Sequence, residues 1–263
     1  MSNIKPIFFF RNDDVRESLD ESLIRLTELF LKHEIPLAHA VEPANVSKEV
    51  SDWLLGIKIK HPELIGIIQH GYDHNHKHPS RKMEFGGKRT YQDQLTDILK
   101  GKDLMNKYFN DLWNPIFTFP YGTFNEATIK ALAESGYSGF SSKIKFEFKS
   151  RLKDKSGRLL GRNTIFNRMV SYHPGYYSSY GIKEISVSVN PIRTYINSAD
   201  AIHYPFNEIH KQIKTSIKYT RFIGVLLHHR YHHNYLNTLE EILLYIRENK
   251  YKVSNLNTLF SHI

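Results

Sequence analysis

Ile7-Phe8-Phe9-Phe10-Arg11-Asn12-Asp13-Asp14 places four apolar residues shortly before two adjacent acids. A short unbroken apolar run bounded by polar residues reads as a buried strand. A strand that ends in two carboxylates delivers reactive groups at its carboxyl end, one pointing inward and the other across the strand mouth. That placement suits a cation ligand beside a general base. Two acids after an apolar strand are costly without a counter-charge, which favours a functional reading over a turn cap.

The same alternation continues outward from this strand, read as residues 6–10. Leu19, Leu23, Leu26, Phe30 and Leu31 mark a helix face, and Pro36-Leu37-Ala38 opens the next strand. Ser47 caps a helix carrying Val50, Trp53, Leu54 and Ile57, and the apolar run 64–68 is a strand that stops at His70. Residues 90–108 read as helix and 115–119 as a short strand, and Asn125 caps the helix 126–134 that ends at Gly136. Beyond Ser141 the pattern weakens: 146–148 and 185–189 alternate like strands and 206–219 looks helical. Regularity returns with a strand at 222–227 and a last helix at 239–247. Strands alternating with amphipathic helices predict an α/β fold with a mainly parallel sheet. Seven or eight such units closing on themselves give a distorted (β/α) barrel of about seven parallel strands. No linker or repeat divides residues 1–263, so one domain is expected, with an irregular basic insertion at about 143–182.

A hydrophobic share of 40% and a charged share of 24% describe an ordinary globular chain. With no cysteine, a metal would have to be held by His and carboxylate. The first strand is reached too early for a signal peptide, and no apolar stretch approaches the roughly 18 residues of a membrane span. The expectation is a cytoplasmic protein, with peripheral membrane association as the other option. The net charge of +9 is concentrated: residues 143–168 hold nine Lys or Arg against two acids. Such a segment suits nucleic acid, a membrane surface or an anionic sugar carrier, and equally a solvated hairpin.

Three strands end in reactive residues: Asp13 and Asp14, then His70 with His74, then His228 with His229. In a barrel of parallel strands these ends share one face. Two His and one carboxylate leave a divalent cation an open position. By itself H-x-x-x-H is a weak signal among fifteen histidines, and His76 and His78 widen the choice of ligands. Strand alternation turns only one of His228 and His229 inward, and His228 is preferred; His232 and His233 read as surface residues. The aromatic stretch 172–180, with Tyr176 at its centre, could stack on sugar faces or pack beneath its own loop.

Together, Phe9-Phe10-Arg11-Asn12-Asp13-Asp14, His70-x-x-x-His74, Phe119-Pro120-Tyr121-Gly122 and Leu226-Leu227-His228 resemble the polysaccharide deacetylase family, the NodB-homology or carbohydrate esterase family 4 fold. The resemblance spans about residues 6–250. It implies a hydrolase that removes an N-acetyl group from an amino sugar in a saccharide or glycoconjugate; hydrolysis of a formamide or ureido bond, or a non-catalytic saccharide-binding barrel, are the alternatives. Asp14, His70 and His74 would hold a divalent metal, zinc first, with cobalt, nickel or iron also suited. Asp13 would be the general base and His228 the general acid. Tyr121 would offer its backbone N–H to the oxyanion, with Pro120, Gly122, Arg11, His229 and Tyr176 around the substrate. An anionic saccharide would suit the basic segment, and nucleic acid is not expected. Three departures stand out. Val15 replaces the Gly that closes the family's first motif, and the Asp-Trp motif has no counterpart. Thr118 stands where the family carries the Arg that orients the base, leaving Arg11 and Arg230 as candidates for that task.

Overall fold

A computed structural model describes residues 5–148, 180–198, 200–232 and 234–261, with Leu152, Lys155, Ser156 and the backbone of three short strands between 164 and 177. The first half is regular: β1 (Ile7–Val15), α1 (Glu21–Lys32), β2 (Leu37–Val41), α2 (Lys48–Lys60), β3 (Ile65–His70), α3 (Tyr91–Phe109), β4 (Ile116–Thr118), α4 (Glu126–Glu134) and β5 (Gly139–Ser141). Short strands follow: β6 (Thr164–Ile165), β7 (Arg168–Met169), β8 (Gly175–Tyr177), β9 (Ile182–Glu184), β10 (Val187–Val189), β11 (Ile192–Tyr195) and β12 (Ala201–His203). The chain ends with α5 (Phe206–Ile217), β13 (Phe222–Leu227), α6 (Leu236–Glu248), β14 (Lys252–Val253) and α7 (Leu256–Phe260). Helix starts agree with their cap residues: the side chains of Asp20, Ser47, Thr90 and Asn125 each accept a backbone N–H of the first turn.

The main sheet runs β10-β13-β1-β2-β3-β4-β5-β9-β8, with parallel pairing from β10 through β9. Its two flanks meet in one stretch of chain. β9 pairs with β5 and β10 with β13, and only Ile185 and Ser186 separate β9 from β10. A parallel bridge between Lys143 and Val187 continues the β5 side of this seam. The expected curled parallel sheet is therefore present, closed by a seam rather than by a further βα unit. Residues 146–148 do not form the expected strand, because the chain leaves the sheet after Lys143. The aromatic stretch 172–180 lies mostly outside the described residues, as does the Tyr176 side chain.

Alternation along β1 divides its side chains between two cores. Ile7 and Phe9 enter the barrel interior with Ile68, Ile116, Val187 and Leu226, while Phe8 and Phe10 pack outward beneath α1, α5 and α6. Gly224 on β13 makes room for Phe9, since a Cβ there would lie 2.2 Å from the Phe9 ring. Leu256, Leu259 and Phe260 of α7 join the interior core, leaving the opposite mouth to polar residues. Each fully buried Phe or Leu contributes roughly 1.5–3 kcal/mol, so this shared core sets the frame on which the strand ends are held.

Candidate metal and catalytic site

Strand parity makes the first part of the site. Arg11 and Asp13 are two residues apart on β1 and share the interior face of Ile7 and Phe9. Arg11 Nε and Nη2 donate to the two Asp13 carboxylate oxygens at 2.8 and 2.9 Å, and Nη1 donates to the Ser141 carbonyl on β5 at 2.7 Å. This fork gives Asp13 an Arg contact that Thr118 cannot supply. Burial pushes the Asp13 carboxyl up, but the charges of Arg11, His70 and His228 outweigh it and hold the group below its ordinary value.

Simple alternation would turn Asp14 away from the cavity. Instead the β1–β2 register shifts between Asn12 and Val15, and Asp14 adopts a left-handed backbone with φ of 62°. This bulge turns both acids toward one cavity. Asp14 Oδ1 lies 3.2 Å from His70 Nε2 and 3.5 Å from His74 Nε2, and the three ligand atoms lie within 4.8 Å of one another.

The donor set fits a divalent cation. Thr118 Oγ1 donates to the Gln69 carbonyl at 3.2 Å and lies 2.5 Å from His70 Nδ1. With its hydroxyl proton spent, Thr118 accepts from Nδ1–H, and the Nε2 lone pair of His70 is left facing Asp14. In the protein alone, burial pushes His74 down, yet the hydrogen bond and charge of Asp14 prevail and raise it to about 9. Burial pushes the Asp14 carboxyl up, but the charge of His228 and the contacts with His70 and His74 outweigh it and hold the group well below the usual carboxylate range.

His74 sits on a loop held by groups the sequence motifs do not announce. Glu84 is fully buried and accepts the backbone N–H groups of Tyr72 at 2.7 Å, Asp73 at 3.2 Å and His74 at 3.1 Å. Burial raises its carboxyl to about 8 despite those bonds. Gly71 is needed here: its φ is 63°, and a Cβ would lie 2.4 Å from both Glu84 Oε2 and Pro120. From the other side the Tyr121 hydroxyl donates to the His74 carbonyl at 2.7 Å, and the two rings are 4.5 Å apart. Tyr121 itself has φ of 59°. Asp14, His74 and Tyr121 thus concentrate left-handed, non-glycine backbone at one cavity, where such strain commonly accompanies function.

The cavity has a volume of about 730 Å³ and is lined by Arg11, Asp13, Asp14, His70, His74, Tyr121, Gly122 and His228, among others. His228 is buried, and its Nδ1 has no hydrogen-bond partner among the described residues. Burial pushes His228 down to about 4, against the pull of Asp14 and Asp13. Tyr195 and Tyr231 close this wall with rings 5.9 and 6.0 Å from His228. Tyr195 reaches the site from the β11–β12 hairpin, a stretch in which the sequence pattern marked no element.

Several expectations need correction. His229 does not line the cavity. It is buried behind it, its backbone N–H donating to Asn12 Oδ1 at 2.8 Å and its ring lying beside the Asn12 side chain that also meets His39. Asn12 occupies the outer face of β1, so its partners are necessarily behind the site. Pro120 is buried against Gly71 rather than exposed to a ligand. His232 is buried and lies 2.9 Å from His203, not at the surface. His233 lies outside the described residues.

Comparison with known proteins bears on the fold and the family. Residues 45–140 match a family model described as polysaccharide deacetylase. A Mycobacterium smegmatis protein assigned to the polysaccharide deacetylases superimposes with a TM-score of 0.67 at 12% identity, covering 100% of this chain and 92% of its own. The Bc1960 peptidoglycan N-acetylglucosamine deacetylase gives 0.61 at 12% identity, covering 98% and 89%. A family 4 acetyl xylan esterase from Clostridium thermocellum, in complex with a cobalt ion, gives 0.56 at 11% identity, covering 97% and 90%. At these identities the structural likeness establishes the fold. A search of curated proteins finds no significant match. Among the described residues no helix is long and apolar enough to cross a membrane.

Proposed function

We propose that this chain, which has the fold of the polysaccharide deacetylases and matches their family model over residues 45–140, is a metal-dependent hydrolase that removes the N-acetyl group of an amino sugar in a saccharide or glycoconjugate. One observation carries the reading: a two-His, one-carboxylate cluster adjoins an Arg-clamped carboxylate and a buried histidine in a single cavity. A divalent cation held by Asp14, His70 and His74 would polarise the acetyl carbonyl and bring the pKa of the attacking water toward neutrality.

The remaining work falls to the protein. Asp13, ionised and fixed by Arg11, accepts the proton of the attacking water, a contribution on the order of 10²–10⁴ in rate. The Tyr121 N–H has no hydrogen-bond partner among the described residues and is available to the carbonyl oxygen as negative charge develops on it, an interaction worth about 3 kcal/mol. His228 delivers a proton to the departing amine. It is neutral in the protein alone, so it takes the proton it passes on from solvent once negative charge on the substrate raises its basicity, while the water's proton stays on Asp13 until the products leave. The C–N bond breaks, giving acetate and a free amine. A cavity of about 730 Å³ favours a sugar over a compact formamide.

Two substitutions test the roles. Asp14→Asn should lose the metal, and Asp13→Asn should keep it and lose acetate release from N-acetylglucosamine oligomers. Equal metal loss in both, measured by elemental analysis, would refute the division of labour. Failure of the metal-loaded wild type across a broad panel of N-acetylated saccharides would refute the activity.

A further inference from the structure

A second cavity of about 490 Å³ adjoins the first, and Tyr121, Lys143 and Tyr195 line both. Its charged lining is Lys143, Lys145, Arg193 and Lys211 against Glu147 and Glu208. The arrangement follows from strand parity at two edges. Ile144 is buried and donates its N–H to the Val187 carbonyl at 2.9 Å, so Lys143 and Lys145 on either side of it project the other way and are exposed. On β11, Arg193 and Tyr195 are likewise two residues apart, one lining the second cavity and the other lining both. Glu208 is held by Lys211 at 2.6 Å, whereas Lys145 and Arg193 have no ion-pair partner among the described residues. The groove leading away from Asp14 and His228 therefore carries four cations against two acids, an excess of positive charge supplied from the segment after β5 and from β11.

We propose that this second cavity is a subsite for an anionic sugar, one bearing a carboxylate or a phosphate ester, linked to the residue that loses its acetyl group. The proposal rests on the deacetylase reading for the identity of the reacting sugar. Lys145 and Arg193 supply the recognising charge, Arg193 with the planar fork that matches carboxylate and phosphate oxygens. Tyr195 stands at the junction and sets the boundary between reacting and recognised sugars.

The test is binding to the metal-free wild-type protein by calorimetry at roughly 50 mM salt, where exposed charges are little screened. Three probes serve: a neutral N-acetylglucosamine tetrasaccharide, a tetrasaccharide alternating N-acetylglucosamine with glucuronate, and N-acetylglucosamine oligomers joined by phosphodiester. At least one anionic probe should bind about tenfold more tightly than the neutral one, and the preference should shrink as salt is raised. The arm that shows it names the anion. Lys145→Gln with Arg193→Gln should bring the anionic probe to within about twofold of the neutral one. Both side chains are exposed, Arg193 on β11 and Lys145 just past the Lys143 bridge, so the variant should fold, checked by its thermal unfolding. Equal wild-type affinity for all three probes, or a preference that survives the double variant, would overturn the subsite. Because the readout is binding, a preserved preference in the metal-free protein together with no acetate release from any probe by the metal-loaded protein would instead overturn the deacetylase reading.

Discussion

Replacing Arg11 by Met should be among the most damaging changes available at this site, for reasons visible in the geometry. Arg11 and Asp13 have side chains only 3% and 5% exposed, and Arg11 makes two bonds to the carboxylate and one to the Ser141 carbonyl. Removing one partner of a buried pair leaves the other charge uncompensated, which costs about 3–5 kcal/mol. In a chain of this size that lowers the midpoint of thermal unfolding by about 6–20 °C. Adding Asp13→Asn removes the stranded charge, so Arg11→Met should cost about 2–4 kcal/mol less in an Asp13→Asn background than in the wild type. The assay is a double-mutant cycle by urea unfolding, with acetate release measured in parallel. In Arg11→Met the base loses its orientation and its countercharge, and kcat/KM should fall by about 10²-fold or more. Strict additivity within about 0.5 kcal/mol would refute the claim that the two residues act as a clamped unit. So would an Arg11→Met protein with unchanged turnover.

Other expectations concern the surrounding groups. Glu84→Gln should loosen the loop carrying His74 and weaken metal binding by about tenfold, read by competition with a chelator, while Asp13 geometry is left alone. Because Asp14 raises His74 to about 9, loading the site displaces a proton; apparent metal affinity should climb about tenfold per pH unit below that value, and a flat profile between pH 6 and 8 would contradict it. Burial and the neighbouring His229 lower His39 to about 3, so no penalty exists above its unfolded value near 6.5. As pH falls through 6.5 the unfolded chain binds a proton that folded His39 refuses, and stability drops by about 1.4 kcal/mol per pH unit until about 3. Accordingly, His39→Gln should narrow the stability difference between pH 7 and pH 5 by about 2 kcal/mol, measured by urea unfolding, and an unchanged difference would exclude His39 as the source.

The strand ends were legible in the sequence because apolar runs that stop at Asp, His or Pro leave a plain mark. Arg11 was one of two candidates to orient Asp13, and strand parity explains why it is the one that reaches the carboxylate. What the pattern could not carry was the bulge: nothing in Asp13-Asp14-Val15 announces a left-handed Asp14, and without it one acid would face the wrong core. Glu84 was invisible for a different reason. Its contacts are backbone N–H groups of a loop ten or more residues upstream, and a buried carboxylate chosen for reach has no periodic signature. Alternation narrowed His228 and His229 to one inward residue but left the choice to a preference. The β11–β12 hairpin was missed because its exposed Ile196 and Ile202 break the alternation of a half-buried strand.

The seam that joins the flanks of the sheet also dictates an order of events on the ribosome. β1 is made first, yet one of its neighbours is β13, and Arg11 and Asn12 find their register against Leu226 and Leu227 only after those residues have emerged. Until then the first strand offers a bare edge of apolar sequence, and contacts of such long sequence separation form slowly. Asp13 and His228, brought together across this pairing, therefore meet among the last parts of the molecule to form. A chain cut short before Phe222 would hold the Asp14, His70 and His74 cluster and still have neither a closed barrel nor His228 across from it.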